Sequence, residues 1–219
     1  MRVDIWSDIV CPWCYVGKRR FETALAAFEG DAVEVVHHSF QLNPSAPRES
    51  TTSRREMLMQ KYGLTEARVD ALDAQMTETA AAEGLHYRLE GTVTGNTLDA
   101  HQLVHLARAH GQQDAMIERL YRAYFSEGRS VFEAGSLVEL AGEVGLDRET
   151  ARTSLREGRY VAAVREDIEM ARRIGISGVP FFVIDGRYGI SGAQPPATFL
   201  EAFATATSDQ KEPGLRSAT

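Results

Sequence analysis

Apolar and polar residues alternate at the start of the chain, with Val3 and Ile5 set against Arg2, Asp4 and Trp6, and this predicts a short strand over residues 2–6. Phe21, Leu25 and Phe28 then recur at helical spacing, and Gly30 supplies a stop. Residues 32–42, AVEVVHHSFQL, are rich in β-branched and aromatic side chains and read as a second strand. Strand, helix and strand in this order are the parts of a βαβ unit.

From Asn43 the texture changes. The stretch NPSAPRESTTSRREM is a polar connection carrying Pro44 and Pro47, and helical patterns dominate from about Thr52 to Ile174. The spacing predicts helices over residues 53–62, 66–83, 97–110, 114–126, 136–144, 148–157 and 160–174, punctuated by glycines. Asp147 and Asn96 stand where N-caps are needed. Sheet texture returns over 178–192, where an apolar run meets the turn signal Asp185-Gly186 and a second run, which reads as a β-hairpin. A last amphipathic helix starts at Pro195 or Pro196, because proline is tolerated in the first turn. The polar tail, 208–219, reads as disordered.

Each β-containing end is too small to fold alone, so residues 1–42 and 175–207 are expected to build one discontinuous domain with a shared sheet. Residues 43–174 are then an inserted helical domain. The fold class is α/β.

Composition narrows the function. Hydrophobic residues at 43% and charged residues at 25% are those of an ordinary globular chain. A net charge of -7 and a pI near 5.4 argue against a broad nucleic-acid surface, which needs clustered Lys and Arg. The local run Lys18, Arg19 and Arg20 reads as a solvated helix face. No stretch is long and apolar enough to span a membrane, and the beginning MRVDIWSD does not read as a secretory signal, so the expected location is the cytoplasm. A reducing compartment disfavours a permanent structural disulfide.

That last point bears on the two cysteines, Cys11 and Cys14, which are separated only by Pro12 and Trp13 and run straight into the first helix. A thiol is a nucleophile only as thiolate, and the unpaired N–H groups and dipole at a helix N-terminus favour that form. Two intervening residues bring the second sulfur within bonding distance across the first turn. The first cysteine would attack and the second would resolve the mixed disulfide. Pro12 suits the helix start because its missing N–H has no intrahelical partner there.

Two other accounts of the pair compete. A structural zinc site would have to recruit His37 with His38, or His101 with His105. A buried, inert pair is the other account, since free cysteine is often buried. The strand before, the helix after and the later hairpin favour the thioredoxin-like reading. In SGVPFF, Pro180 opens an apolar strand after a helix and a glycine. A cis Val179–Pro180 bond would turn the Val179 backbone toward the cysteines, to pair with an extended substrate.

With these residues in view, the sequence resembles the DsbA-like branch of the thioredoxin superfamily, and more closely the FrnE-type proteins grouped with 2-hydroxychromene-2-carboxylate isomerase. The resemblance rests on SDIVCPWCYVGKRRFE, GNTLDAHQLVHLA and GISGVPFFVIDGRYGISGAQP and covers nearly the whole chain. It implies a thioredoxin fold interrupted by an all-helical domain, with the active site in the groove between them. In the related isomerases and kappa-class glutathione transferases a serine holds the place of the first cysteine and glutathione binds across the fold. Here Cys11 stands at that place with Cys14 intact, which favours dithiol–disulfide exchange. Some FrnE-type proteins carry a second cysteine pair near the C-terminus; this chain has two cysteines in all, so an external redox partner is expected.

Around that centre, Trp13 gives an apolar rim for a substrate, and Pro12, Val179, Pro180 and Asn96 are candidate substrate-binding residues. Asn96 serves equally as a helix cap. Asp8 is a candidate proton shuttle to the second thiol. Gln194 could approach the groove or cap the last helix. His101 and His105 lie on one helical face, but Gln102 stands where a metalloprotease motif has Glu, so they read as packing or surface residues. No metal is expected.

The first functional expectation is a thiol–disulfide oxidoreductase acting on a protein or small-molecule thiol or disulfide. The alternatives are a glutathione-dependent isomerase or transferase for a small aromatic or polyketide-like substrate, with glutathione as co-substrate, and a non-enzymatic binding or holdase module.

Overall fold

The computed structural model describes residues 1–48 and 52–211. In chain order the elements are β1 (Arg2–Ser7), α1 (Pro12–Ala27), β2 (Glu34–Ser39), α2 (Arg54–Tyr62), α3 (Glu66–Ala82), α4 (Leu98–Ala109), α5 (Gln113–Phe125), α6 (Ala134–Glu143), α7 (Arg148–Glu157), α8 (Val161–Arg173), β3 (Phe181–Ile184), β4 (Tyr188–Ser191) and α9 (Pro196–Lys211).

The two ends of the chain do share a sheet, in the order β2-β1-β3-β4. β1 pairs parallel with β2, Ile5 opposite His37, and antiparallel with β3, Ile5 opposite Phe182. β3 and β4 form the hairpin. Its turn places Asp185 and Gly186 consecutively at φ 49° and 66°, and Arg187 N closes it on Ile184 O at 3.0 Å.

Alternation along the strands sorts the side chains to two faces. On one face Val3, Ile5, Phe182, Ile184 and Ile190 pack with Phe21 and Ala24 of α1 and with Phe199, Phe203 and Ala206 of α9. On the other, Trp6 packs with Ala171 of α8 and Ile176, and with the partly buried Phe181, Val183 and Met170. Helix α8 covers this face, resting on β2 as well as on α4. An amphipathic helix has the same periodicity whichever layer it covers, so spacing alone could not assign it.

The outer edge of β2 is closed by side chains. The Gln113 amide both accepts from His37 N (3.2 Å) and donates to His37 O (2.9 Å), and Asp167 Oδ2 accepts from Ser39 N at 2.8 Å. These bonds stand in for a neighbouring strand and blunt the edge. β2 ends at Ser39, short of the expected Leu42.

Three further expectations need correction. Residues 208–211, read as part of a disordered tail, belong to α9; residues 212–219 lie outside the described residues. The cap position of α4 is Thr97, although Asn96 Oδ1 accepts from Leu98 N at 2.9 Å and so still caps the helix start. The Lys18–Arg20 run is no solvated face. Lys18 is buried between Glu22, Asp114 and Glu118, and Arg20 bonds Glu83 and the Ala193 carbonyl. Asp147 caps α7 as expected, accepting from Thr150 N at 2.8 Å.

Helix α1 joins the two halves. Its C-terminal part faces the sheet, while Cys11, Cys14, Tyr15 and Val16 are built into the core of the helical block.

Candidate active site

Pro12 occupies the first turn of α1, and Cys11 is its N-cap in an extended conformation (φ -87°, ψ 111°). The Cys11 side chain makes no capping bond and the first turn carries no acidic residue, so nothing competes with the sulfur for the positive end of the helix. Backbone bonds fix the turn, from Cys11 N to Asp8 O (3.1 Å) and from Cys14 N to Cys11 O (3.0 Å). Tyr87 Oη donates to Pro12 O at 2.7 Å and is one of a set of rings, with Tyr15, Tyr121 and Phe125, packed behind the cysteines.

Both thiols are free, Cys11 5% and Cys14 2% exposed, whereas Trp13 between them is 45% exposed. Burial pushes the Cys14 thiol well up, and the Cys11 sulfur beside it adds to the shift. Cys14 therefore holds its proton, and Cys11 is the slightly less buried of the two.

The Val179–Pro180 bond is cis. It brings the Val179 carbonyl to the site, where Cys11 Sγ donates to it across 3.6 Å. Gly17, in the second turn of α1, permits this meeting: a β-carbon there would stand 2.9 Å from Pro180 Cγ and 3.5 Å from Ala193. Sequence reasoning passed over Gly17, although a glycine inside the helical run CYVGKRR is itself a signal of close approach.

Asp8 is 1% exposed, and its charge acts on the Cys14 thiol. Its Oδ2 accepts from Leu42 N at 2.8 Å, and its Oδ1 lies 3.2 Å from Nε2 of His101, which is 2% exposed. Asn96 is committed to the chain itself. Besides its cap bond, its Oδ1 accepts from Gln41 Nε2 and its Nδ2 donates to the Pro44 and Ala46 carbonyls, so it shapes the 41–47 loop. Gln194 donates to Ser191 O and stays with its own turn.

The adjacent histidines of β2 point to opposite faces. His38 stacks on Trp6 and bridges two carboxylates, Nδ1 2.7 Å from Asp167 and Nε2 2.7 Å from Asp4. Burial opposes its charge, but Asp167 and then Asp4 outweigh burial and raise its pKa. His105 Nε2 lies 3.0 Å from the other Asp167 oxygen and 3.2 Å from Ser39 Oγ. His37 on the opposite face has Nε2 3.3 Å from Asp114 Oδ1, and burial outweighs that contact and lowers its pKa. Among the described residues, no cluster of three or more His, Cys, Asp or Glu is arranged to hold a metal ion. Nor is any described helix long and apolar enough to cross a membrane.

Known proteins share this fold. The family described as the DSBA-like thioredoxin domain matches residues 2–204. A probable DsbA oxidoreductase from Streptomyces coelicolor is 45% identical, with a TM-score of 0.92 over 100% of this chain and 94% of that one. A 2-hydroxychromene-2-carboxylate isomerase shares the fold at 18% identity, with a TM-score of 0.72 over 99% of this chain and 100% of that one. So does the cytosolic disulfide reductase DsbM of Pseudomonas aeruginosa, at 22% identity and a TM-score of 0.63 over 95% and 99%.

Proposed function

This chain belongs to the DsbA-like thioredoxin family, and from that premise we propose that it is a thiol–disulfide oxidoreductase whose centre is the Cys11-Pro12-Trp13-Cys14 turn. Cys11 attacks a substrate disulfide as thiolate, forming a mixed disulfide and releasing one substrate thiol. Cys14 then attacks Cys11 Sγ; the Cys11–Cys14 bond forms, the bond to substrate breaks, and two electrons have passed to the substrate. Run backwards, the same steps oxidise a dithiol. Asp8 serves as the proton acceptor for Cys14.

The observation that carries this reading is the meeting of Cys11 Sγ with the Val179 carbonyl, 3.6 Å apart, at the N-terminus of α1. There a sulfur and a cis-proline backbone face the same incoming group. A cavity of about 380 Å³ is lined by Phe40, Gln41, Pro44, Ile176 and Ser177, the last of these standing two positions before Val179. With two cysteines in the chain, the electrons come from or go to an external partner, for which glutathione is a suitable small thiol. The compartment that suits this exchange is the cytoplasm, where thiols are kept reduced.

The test is an equilibrium redox titration against glutathione, read by alkylation and mass, with Cys14→Ser alongside. A reversible two-electron transition supports the proposal. A potential near about -120 mV marks an oxidant and one near about -270 mV a reductant. If no intramolecular disulfide forms while Cys14→Ser still activates glutathione, the isomerase or transferase reading replaces this one.

A further inference from the structure

Asp8 and His101 stand 93 positions apart in the chain, one from the β1–α1 connection and one from the helical block, yet their side chains meet inside the protein at 3.2 Å. Burying a carboxylate is costly unless donors surround it. Leu42 N satisfies Oδ2, which leaves Oδ1 to His101. The titratable groups around this carboxylate are Cys11 and Cys14 of α1, His101 of α4, and Tyr121 and Tyr124 of α5. Burial pushes both tyrosines up, so they keep their protons and cannot take another. Bulk water is shut out by the burial of Cys14 and Asp8. The Asp8 carboxylate is left as the acceptor group that acts on the Cys14 thiol from within the protein.

We propose that His101 is a positioning residue: it holds Asp8 in the orientation in which its carboxylate takes the Cys14 proton as the mixed disulfide resolves. The inference rests on the exchange reading above and adds to it that the helical block completes the redox centre. In the step, the Cys14 proton passes to the Asp8 carboxylate, the Cys14 sulfur bonds Cys11 Sγ, and the bond from Cys11 to substrate breaks. The electron pair of that bond leaves on the substrate thiolate, which the proton then neutralises. No further oxidant or reductant enters.

The experiment mixes the reduced full-length chain with oxidised glutathione and quenches with acid. Alkylation and mass then separate the Cys11–glutathione adduct from the Cys11–Cys14 disulfide. His101→Leu is expected to slow the second step at least about tenfold, within the range of general acid–base effects, while the first step stays within about twofold. His101→Gln, which keeps an N–H donor, is expected to recover most of the rate. In Asp8→Asn hydroxide must take the proton, so the second step should rise about tenfold per pH unit, more steeply than in the parent chain.

Resolution at the parent rate in His101→Leu, or an unchanged pH profile in Asp8→Asn, overturns the inference and leaves the exchange reading standing. Equal slowing of both steps with a lowered melting temperature also overturns it, in favour of a purely structural pair. If the parent chain itself forms neither adduct nor disulfide, it is the exchange reading that has failed.

Discussion

Gly17 of α1 and Pro180 of the cis peptide are packed so closely that a β-carbon on Gly17 would lie 2.9 Å from Pro180 Cγ. Helix propensity favours Gly17→Ala by about 1 kcal/mol, but overpacking against a backbone held on both sides costs about 1–3 kcal/mol. We expect a net loss of stability in urea unfolding and slower attack by Cys11, because the helix start and the Val179 carbonyl are pushed apart. Gly135→Ala is the control: it lies in α6 with open space around it and should be neutral or slightly stabilising.

His37 and His38 should give opposite pH dependences of stability. The pKa of His38 is raised in the folded chain, so its contribution is complete below the unfolded value near 6.5 and is lost as pH rises through the folded value. The pKa of His37 is lowered by burial, so its contribution is complete above about 6.5 and is lost as pH falls toward the folded value. Unfolding free energies measured between about pH 5 and 8 should therefore rise with pH more steeply in His38→Gln than in the parent chain. In His37→Asn they should fall more. Parallel curves for both variants and the parent would remove the charge bridge from Asp4 through His38 to Asp167 as a source of stability.

Lys18 carries a third prediction. Its ammonium sits among Glu22, Asp114 and Glu118, tying α1 to α5, and after the His37 contact it helps hold Asp114 well below the usual carboxylate range. Lys18→Met removes the cation shared by all three carboxylates and leaves Arg19 to pair Glu22 and Glu118 and His37 to face Asp114. Breaking a fully buried pair costs about 3–5 kcal/mol. These acids are partly solvated, so we expect a smaller loss of about 1–3 kcal/mol at neutral pH. The depressed Asp114 stabilises the parent above its unfolded pKa and loses that contribution as pH falls. The gap between parent and variant should therefore narrow near about pH 4, as seen by denaturant titration at both pH values.

What could be read from the sequence was local. The cysteine turn, Asp185-Gly186 and the proline before Phe181 act through their own backbone neighbours, so their residue types announce them. The layer taken by α8, the burial of Lys18 and the meeting of Asp8 with His101 depend on which faces touch after folding. Periodicity shows that a face exists without showing its partner. A lysine followed by two arginines looks solvated until α5 delivers Asp114 and Glu118 to it, and His101 looks like packing until β1 ends beside it with Asp8.

Trp13 separates a polypeptide substrate from a small one. Its side chain is 45% exposed between two buried cysteines, so Trp13→Ala should alter stability by no more than about 0.5 kcal/mol. If the indole is a rim that a peptide lies against, its removal should slow exchange with a peptide disulfide about five- to tenfold, the cost of about 1–1.4 kcal/mol of lost apolar contact. Exchange with oxidised glutathione, which can reach Cys11 without covering the rim, should be little changed. Equal slowing of both reactions would mean that Trp13 acts by shielding Cys14 rather than by touching substrate. The two rates, taken with one melting curve, decide between a contact surface and a lid over the second thiol.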